Sequence, residues 1–270
     1  MSALRSPLIN VMTAAAKKAA RVLIRDFGEV EHLQVSRKGP ADFVSVADEK
    51  SERTLREELG RARPDYGFRL EEGGTIASKD GIHNWVVDPL DGTTNFLHGL
   101  PHWAISIGLE KNGEPVAGVI YDPIKDEMFV AEKGQGAYLN SKRLRVSGRR
   151  KLEETVLATG IPFHGLQGHK RFSAELDAIM PNVAGVRRFG AAALDLAYVA
   201  AGRFDGFWEW NLKPWDICAG IVMVRESAGL VTDPHGGDKP YETGNVLAST
   251  MDIHPKVALT LRAAAKNAVE

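Results

Sequence analysis

Residues 84–96 read NWVVDPLDGTTNF. An apolar run ends in Asp88, and Pro89 fixes its own backbone while holding Asp88 extended. Asp91 follows in the turn, so two like charges meet at the end of one strand, an arrangement that calls for a cation between them. Leu90 can offer a carbonyl to a metal, and Gly92 lets the backbone approach a ligand closely. Thr93 and Thr94 add hydroxyls and backbone amides at a helix or turn N-terminus, a good place for an anion. The stretch thus combines metal ligands on one side with phosphate donors on the other. Asp-Pro and Asp-Gly are also common turn dipeptides, so on its own the fragment reads as a turn.

Working outward, the period of the apolar positions is two from about 66 to 140: GFRLE, NWVVD, WAISIGLEK, PVAGVIYD and EMFVAE are short strands separated by turn signals such as Lys111-Asn112-Gly113-Glu114. The spacing predicts a meandering antiparallel sheet. Ahead of it, residues 4–27 place Leu8, Met12, Ala15, Ala16, Ala19, Leu23 and Phe27 at helical spacing, ended by Gly28. Ser45 opens a second helix with Asp48 in a capping-box-like position, and both helices are expected on one face of the sheet. After Val146 strands and helices alternate: VLATG, a helix over 169–180, a strand over 185–189, a helix over 191–201, GFWEW, a helix over 215–228, strands near 230 and 247, and a helix from His254. That alternation argues an α/β layer. The expected division is 1–142, an N-terminal α+β part with the metal-binding motifs, and 143–270, a C-terminal α/β part completing the site.

The chain has 270 residues, 44% of them hydrophobic, and a formal net charge of −1. No global field draws it to nucleic acid or an anionic membrane, and no direct nucleic-acid motif is present. Cys218 is the only cysteine, which suits a reducing compartment, so a cytoplasmic protein is expected. No apolar stretch reaches membrane-span length. Several acids fall at strand ends or helix starts: Asp48, Glu71-Glu72, Asp88, Asp91 and Asp216. No histidine or cysteine accompanies them, and all-oxygen ligation suits Mg²⁺ before Zn²⁺. Several carboxylates can hold paired ions, a common device for in-line phosphoryl displacement. Each alone has a plainer reading: Glu71-Glu72 as a solvated face, Asp48 as a cap. Gly134-Gln135-Gly136 begins a GxG without a following helix, Gly73-Gly74 reads as a loop, and His98 and His102 read as structural. Phe207 to Trp210 alternate, with one face core and the other rimming a pocket. Arg187-Arg188 reads as an edge or dimer contact, with a phosphate clamp as the third option.

Asp88 to Phe96 resembles the signature of the inositol monophosphatase family of Mg²⁺-dependent, lithium-sensitive phosphatases. Trp215-Asp216-Ile217-Cys218-Ala219-Gly220, with Glu226, Ala228, Gly229 and Gly236 after it, resembles the second signature. Asp42, Val44, Ser45, Asp48 and Glu71-Glu72 follow the family order between helix and sheet, and ALDLAYVAAGRFDGFWE is similar to its bacterial SuhB branch. The resemblance implies a layered αβαβα sugar-phosphatase fold, a homodimer and two or three Mg²⁺ ions. Glu71, Asp88 and the Leu90 carbonyl would hold the first ion, and Asp88, Asp91 and Asp216 the second. Asp48 with Glu71 would hold a weaker third. Thr93 would pair with Glu71 to orient and deprotonate the attacking water, and the Gly92 and Thr93 amides would receive the phosphate. Glu209 matches the acid that holds substrate hydroxyls, and Gly190 and Ala192 the backbone of the substrate pocket. The chain departs from the pattern at Leu70, at Ala191 in place of a hydroxyl residue, and at Arg37-Lys38. The expected activity is hydrolysis of *myo*-inositol 1-phosphate and related phosphates by a metal-activated water. Fructose 1,6-bisphosphate, NADP, histidinol phosphate or a 3′-phosphoadenylate are alternative substrates. A role as partner of RNA polymerase in ribosomal RNA antitermination is the reading of another class.

Overall fold

Ser6 caps helix α1 (Pro7–Phe27) by accepting the Ile9 amide, and Pro7 occupies the first turn, where no donor is lost. Its buried stripe of Met12, Ala16, Ala19 and Leu23 is small enough for close packing against helix α2 (Val46–Ala62). The computed structural model of the chain describes residues 6–28, 35–39, 42–162 and 167–267, with 35–45 described by backbone alone. The side chains of Arg37, Lys38, Asp42, Val44 and Ser45 therefore lie outside the described residues. There, β1 (Val35–Gly39) and β2 (Asp42–Ser45) form an antiparallel pair leading into α2.

Two sheets separate three helical layers. The eight-stranded sheet has the order β10-β9-β8-β7-β6-β5-β3-β4, from Lys142–Arg143 at one edge to Gly74–Ile76 at the other. Its central strands are β5 (His83–Asp91), β6 (Ala104–Lys111) and β7 (Glu114–Asp122), continued by β8 (Glu127–Glu132). Trp85, Val87, Ile105, Ile107 and Val119 pack on α1 and α2. Ala104, Ile120, Phe129 and Ala131 pack instead on α5 (Ala192–Ala200) and α6 (Pro214–Glu226). The same two helices cover Ala158, Phe207 and Ala248 of a second, five-stranded sheet, whose order is β12 (Gly185–Arg187), β11 (Val156–Thr159), β13 (Gly206–Glu209), β15 (Val246–Ser249), β14 (Leu230–Thr232). Its other face buries Leu157, Trp208 and Leu247 against α4 (His169–Ile179) and α8 (His254–Asn267). The layering is αβαβα, the sugar-phosphatase arrangement.

Two expectations change. The first sheet is mixed, because β3 (Gly67–Leu70) runs parallel to β5. Gly74 to Ile76 turn back as edge strand β4 instead of a loop, and the chain must then pass to the far side of β3. Gly134 and Gly136, both at positive φ, make the β8 turn into a further strand, β9 (Gly136–Leu139). Finally, β13 (Gly206–Glu209) is central in its sheet, so Phe207 and Trp208 are both fully buried, one in each layer. Neither rims a pocket.

Helix α6 lies close on the first sheet because the strands lack side chains beneath it. A Cβ on Gly108 would overlap the Cys218 sulfur, and one on Gly118 would sit 2.5 Å from the Ala219 Cα. We expect Gly118→Ala to cost about 2 kcal/mol or more, since backbone meets backbone there and no rotamer can yield. Urea unfolding checks this, and an unchanged midpoint would show that the helix has slack. Among the described residues no helix is long and apolar enough to cross a membrane.

Candidate active site

The carboxyl end of β5 carries the site. Asp88 (3% exposed) and Asp91 (8%) are both buried, and a register shift between them lets the Pro89–Leu90 bulge intervene. Asp88 Oδ1 accepts the Leu90 amide at 2.9 Å. Asp91 Oδ2 accepts the Ala193 amide at 2.8 Å, and the Ala192 and Leu194 amides also bond this carboxylate. The N-terminus of α5 is thus spent on Asp91, and the Ala192 amide serves a ligand acid instead of open pocket backbone. Asp216 sits in the first turn of α6, where its Oδ2 accepts the Lys213 amide at 2.7 Å. Three aspartates from two sequence regions are each anchored on backbone amides.

Glu71 follows β3 in a turn whose amide bonds the Val87 carbonyl at 3.2 Å. Its charge, with those of Asp91 and Asp216, acts on Asp88. Burial first, and then these neighbours, hold the Asp88 carboxyl well above the usual range in the metal-free protein. Asp91 and Asp216 are each raised to about 7, mainly by burial and against the backbone donors that favour ionisation. Glu209 is raised to about 8 by burial, Asp216 and Asp91. Among the described residues no three acids already stand at ligand separation. The donor set still fits Mg²⁺: oxygen only, anionic, and partly prepaid by fixed hydrogen bonds.

The Thr93 hydroxyl lies 3.1 Å from the Leu90 carbonyl and 3.2 Å from Asp48 Oδ1. Asp48 is fully buried in the first turn of α2 and faces across to α3 (Thr93–Leu97). Gly92 caps α3 at φ 91°, with a Cβ position 3.3 Å from that of Ala191, so both its backbone angle and the contact exclude a side chain. Asn95 ties this segment to the next, donating to the His102 and Phe189 carbonyls at 2.8 Å each. Gly190, at φ 80°, turns the chain from there into α5.

Two relevant residues, Glu52 and Asp195, escaped the sequence reading, and Arg188 was read first as an edge or dimer contact. Glu52 accepts the Glu72 amide at 2.8 Å, and its place one helical turn after Asp48 was an available signal. Asp195 is buried in the first turn of α5, its carboxyl raised well above the usual range by burial, Glu209 and Asp91. Arg188 offsets both Asp195 and Glu209 electrostatically, so it faces the site, while Arg187 belongs to edge strand β12 (Gly185–Arg187).

The inositol monophosphatase family model matches residues 4–269. The chain belongs to the inositol monophosphatase family. It is 56% identical to the inositol-1-monophosphatase of Rhizobium meliloti (strain 1021) over 249 residues, 92% of this chain and 94% of that protein. It is 40% identical to Nus factor SuhB of Escherichia coli (strain K12) over 256 residues, 95% of this chain and 96% of that one. The crystal structure of extragenic suppressor protein suhB from Bartonella henselae superposes with a TM-score of 0.93 at 56% identity, covering 95% and 99% of the two chains. This inositol monophosphatase family member is a phosphoric monoester hydrolase, and the family's chemistry is Mg²⁺-dependent.

The raised carboxyls make a testable demand. Unfolded, these acids lose their protons near pH 4, whereas folded and metal-free they keep them toward pH 7 to 8. Stability of the metal-free protein therefore falls as pH rises through that window. Mg²⁺ relieves this penalty, so its stabilising shift in Tm grows from pH 6 to pH 8. Calorimetry with and without Mg²⁺ measures it, and a pH-independent shift would refute the coupling.

Proposed function

We propose that the chain hydrolyses *myo*-inositol 1-phosphate and related polyol phosphates, with Glu71, Asp88, the Leu90 carbonyl, Asp91 and Asp216 holding two Mg²⁺ ions and Asp48 beside a third. The observation that carries the reading is the trio of aspartates, each accepting a backbone amide and each near enough to another to act on its charge. Bound there, Mg²⁺ lowers the pKa of water and stabilises the leaving alkoxide. The protein's own groups do the rest. With its proton turned to Asp48, the Thr93 hydroxyl can accept one from the attacking water, and Glu71 lies on the same side as a second acceptor. The Gly92 and Thr93 amides would receive the phosphate, and Glu209 would take substrate hydroxyls. Ala191 supplies a methyl where a hydroxyl would add one more contact, so inositol phosphate is accepted without sharp preference.

Initial rates with Mg²⁺ on inositol, glycerol and fructose phosphates test this; no Mg²⁺-dependent hydrolysis of any would overturn it. The 40% identity to Nus factor SuhB supports a second role, recruitment to the transcription machinery, which a pull-down with RNA polymerase reads. We also propose a cytoplasmic homodimer. Leu100 (53% exposed) and Phe189 (39%) are large apolar residues left exposed, each bonded through its backbone to Asn95, and sedimentation reads the oligomeric state.

A further inference from the structure

Strands β11 (Val156–Thr159) and β13 run parallel, with Thr159 opposite Trp208. Both end at the cleft, so the next residues, Gly160 and Glu209, are also neighbours. Ala158 and Phe207 face the α5–α6 layer. By the alternation of strand side chains, position 160 and Glu209 face that layer too. A Cβ built on Gly160 overlaps the whole Glu209 carboxyl group, its carbon and both oxygens. The contact is far tighter than any neighbour at an ordinary side-chain site. The Glu209 carboxylate therefore lies flat against the Gly160 backbone, in space that only a glycine leaves open. Gly160 has no positive φ to explain its presence. Its neighbour gives the reason instead of its own conformation.

Glu209 has no side-chain hydrogen bond among the described residues, and its residue is partly exposed. Asp195 faces it from α5, with Oδ1 buried and unbonded, and Arg188 approaches from the Gly190 turn, where its Nη1 lies 2.9 Å from the position of a Gly190 Cβ. The carboxylate thus has a hard floor at Gly160 and charged walls on two other sides. Its position along the floor sets which hydroxyls of a leaving group it can meet.

We propose that Gly160 is a specificity-determining residue: by leaving room for the Glu209 carboxylate, it confers preference for phosphate esters of polyols, alcohols that carry a free hydroxyl near the ester, over esters without one. The inference rests on Glu209 as the hydroxyl-binding acid of the proposed phosphatase. Gly160 touches neither phosphate nor metal ligand, so its effect appears in recognition of the alcohol and not in the chemistry of the phosphoryl group.

The test compares glycerol 2-phosphate with p-nitrophenyl phosphate, which has no hydroxyl to recognise, at saturating Mg²⁺. In Gly160→Ala, KM for glycerol 2-phosphate should rise about tenfold, as for one displaced charged hydrogen bond. The constants for p-nitrophenyl phosphate should stay within about twofold. In a Glu209→Gln background the same alanine should add almost nothing, because the two residues act as a unit. Should Gly160→Ala fold poorly, Gly160→Ala/Glu209→Asp should fold, since the shorter acid vacates the space. An unchanged glycerol phosphate KM, equal losses on both substrates, additivity with Glu209→Gln, or no recovery in the double variant would each overturn the inference. Wild-type protein without Mg²⁺-dependent turnover of either ester would instead refute the phosphatase reading, and this inference with it.

Discussion

Stripping the protein with EDTA takes phosphatase turnover down by about a thousandfold or more, and Mg²⁺ alone restores it. Two separate aids vanish with the ion: activation of water at neutral pH, and charge stabilisation on the departing alkoxide. The chain has no substitute for either. Its acids near the cleft hold protons too readily, with Asp91 and Asp216 raised to about 7, to replace a cation. Its lone cysteine is fully buried, with its thiol raised to about 12, so no thiolate intermediate offers a bypass. Chelation should leave the far-ultraviolet circular dichroism unchanged. Undiminished turnover after thorough chelation would remove metal chemistry from the account altogether.

Asp91→Asn should lose on the order of a hundredfold to a thousandfold in kcat while staying folded. The amide is isosteric, and its oxygen can still accept the Ala193 amide that Asp91 Oδ2 accepts now. What is lost is the negative charge beside Asp88 and Asp216. The metal-free variant should in fact be more heat-stable than wild type at pH 8, because a buried charge that the fold penalises is gone. This combination, poorer catalysis with higher metal-free stability, separates a ligand from a purely structural acid. A structural acid would lose stability at every pH. Turnover within about threefold of wild type would remove Asp91 from the ligand set.

The candidate stretch stands out because its chemistry is contiguous: Asp88 to Thr94 place the proposed ligands, the bulge and the turn in seven consecutive residues. The helices were legible from their periods, and α1, α5, α6 and α8 begin within a few residues of expectation. Strand direction was not, since a period of two is the same for parallel and antiparallel neighbours; hence the parallel β3–β5 pair came as a difference. Alternation over Phe207 to Trp210 marks two faces, but not that both are covered at Phe207 and Trp208. Thr93 meeting Asp48, Glu52 meeting the Glu72 amide and Gly160 under Glu209 are contacts between distant segments. No local pattern announces them. Arg188 was weighed as a phosphate clamp but set below an edge contact, because nothing in two adjacent arginines says which one turns inward.

The bare strands beneath α6 act as a mechanical stop between sheet and helix. Asp88 and Asp91 ride on the sheet and Asp216 on the helix, so with the proposed ligands the gap between the two bodies would gauge the metal site. Helix and strands already meet closely at Gly108 and Gly118, where not even a methyl group would fit. Compression is barred by backbone, whereas expansion is opposed by cohesion of the apolar layer around Ala219 and Val222. Tolerance at the proposed site would therefore be one-sided, easing apart for a larger divalent ion more readily than closing on a smaller one.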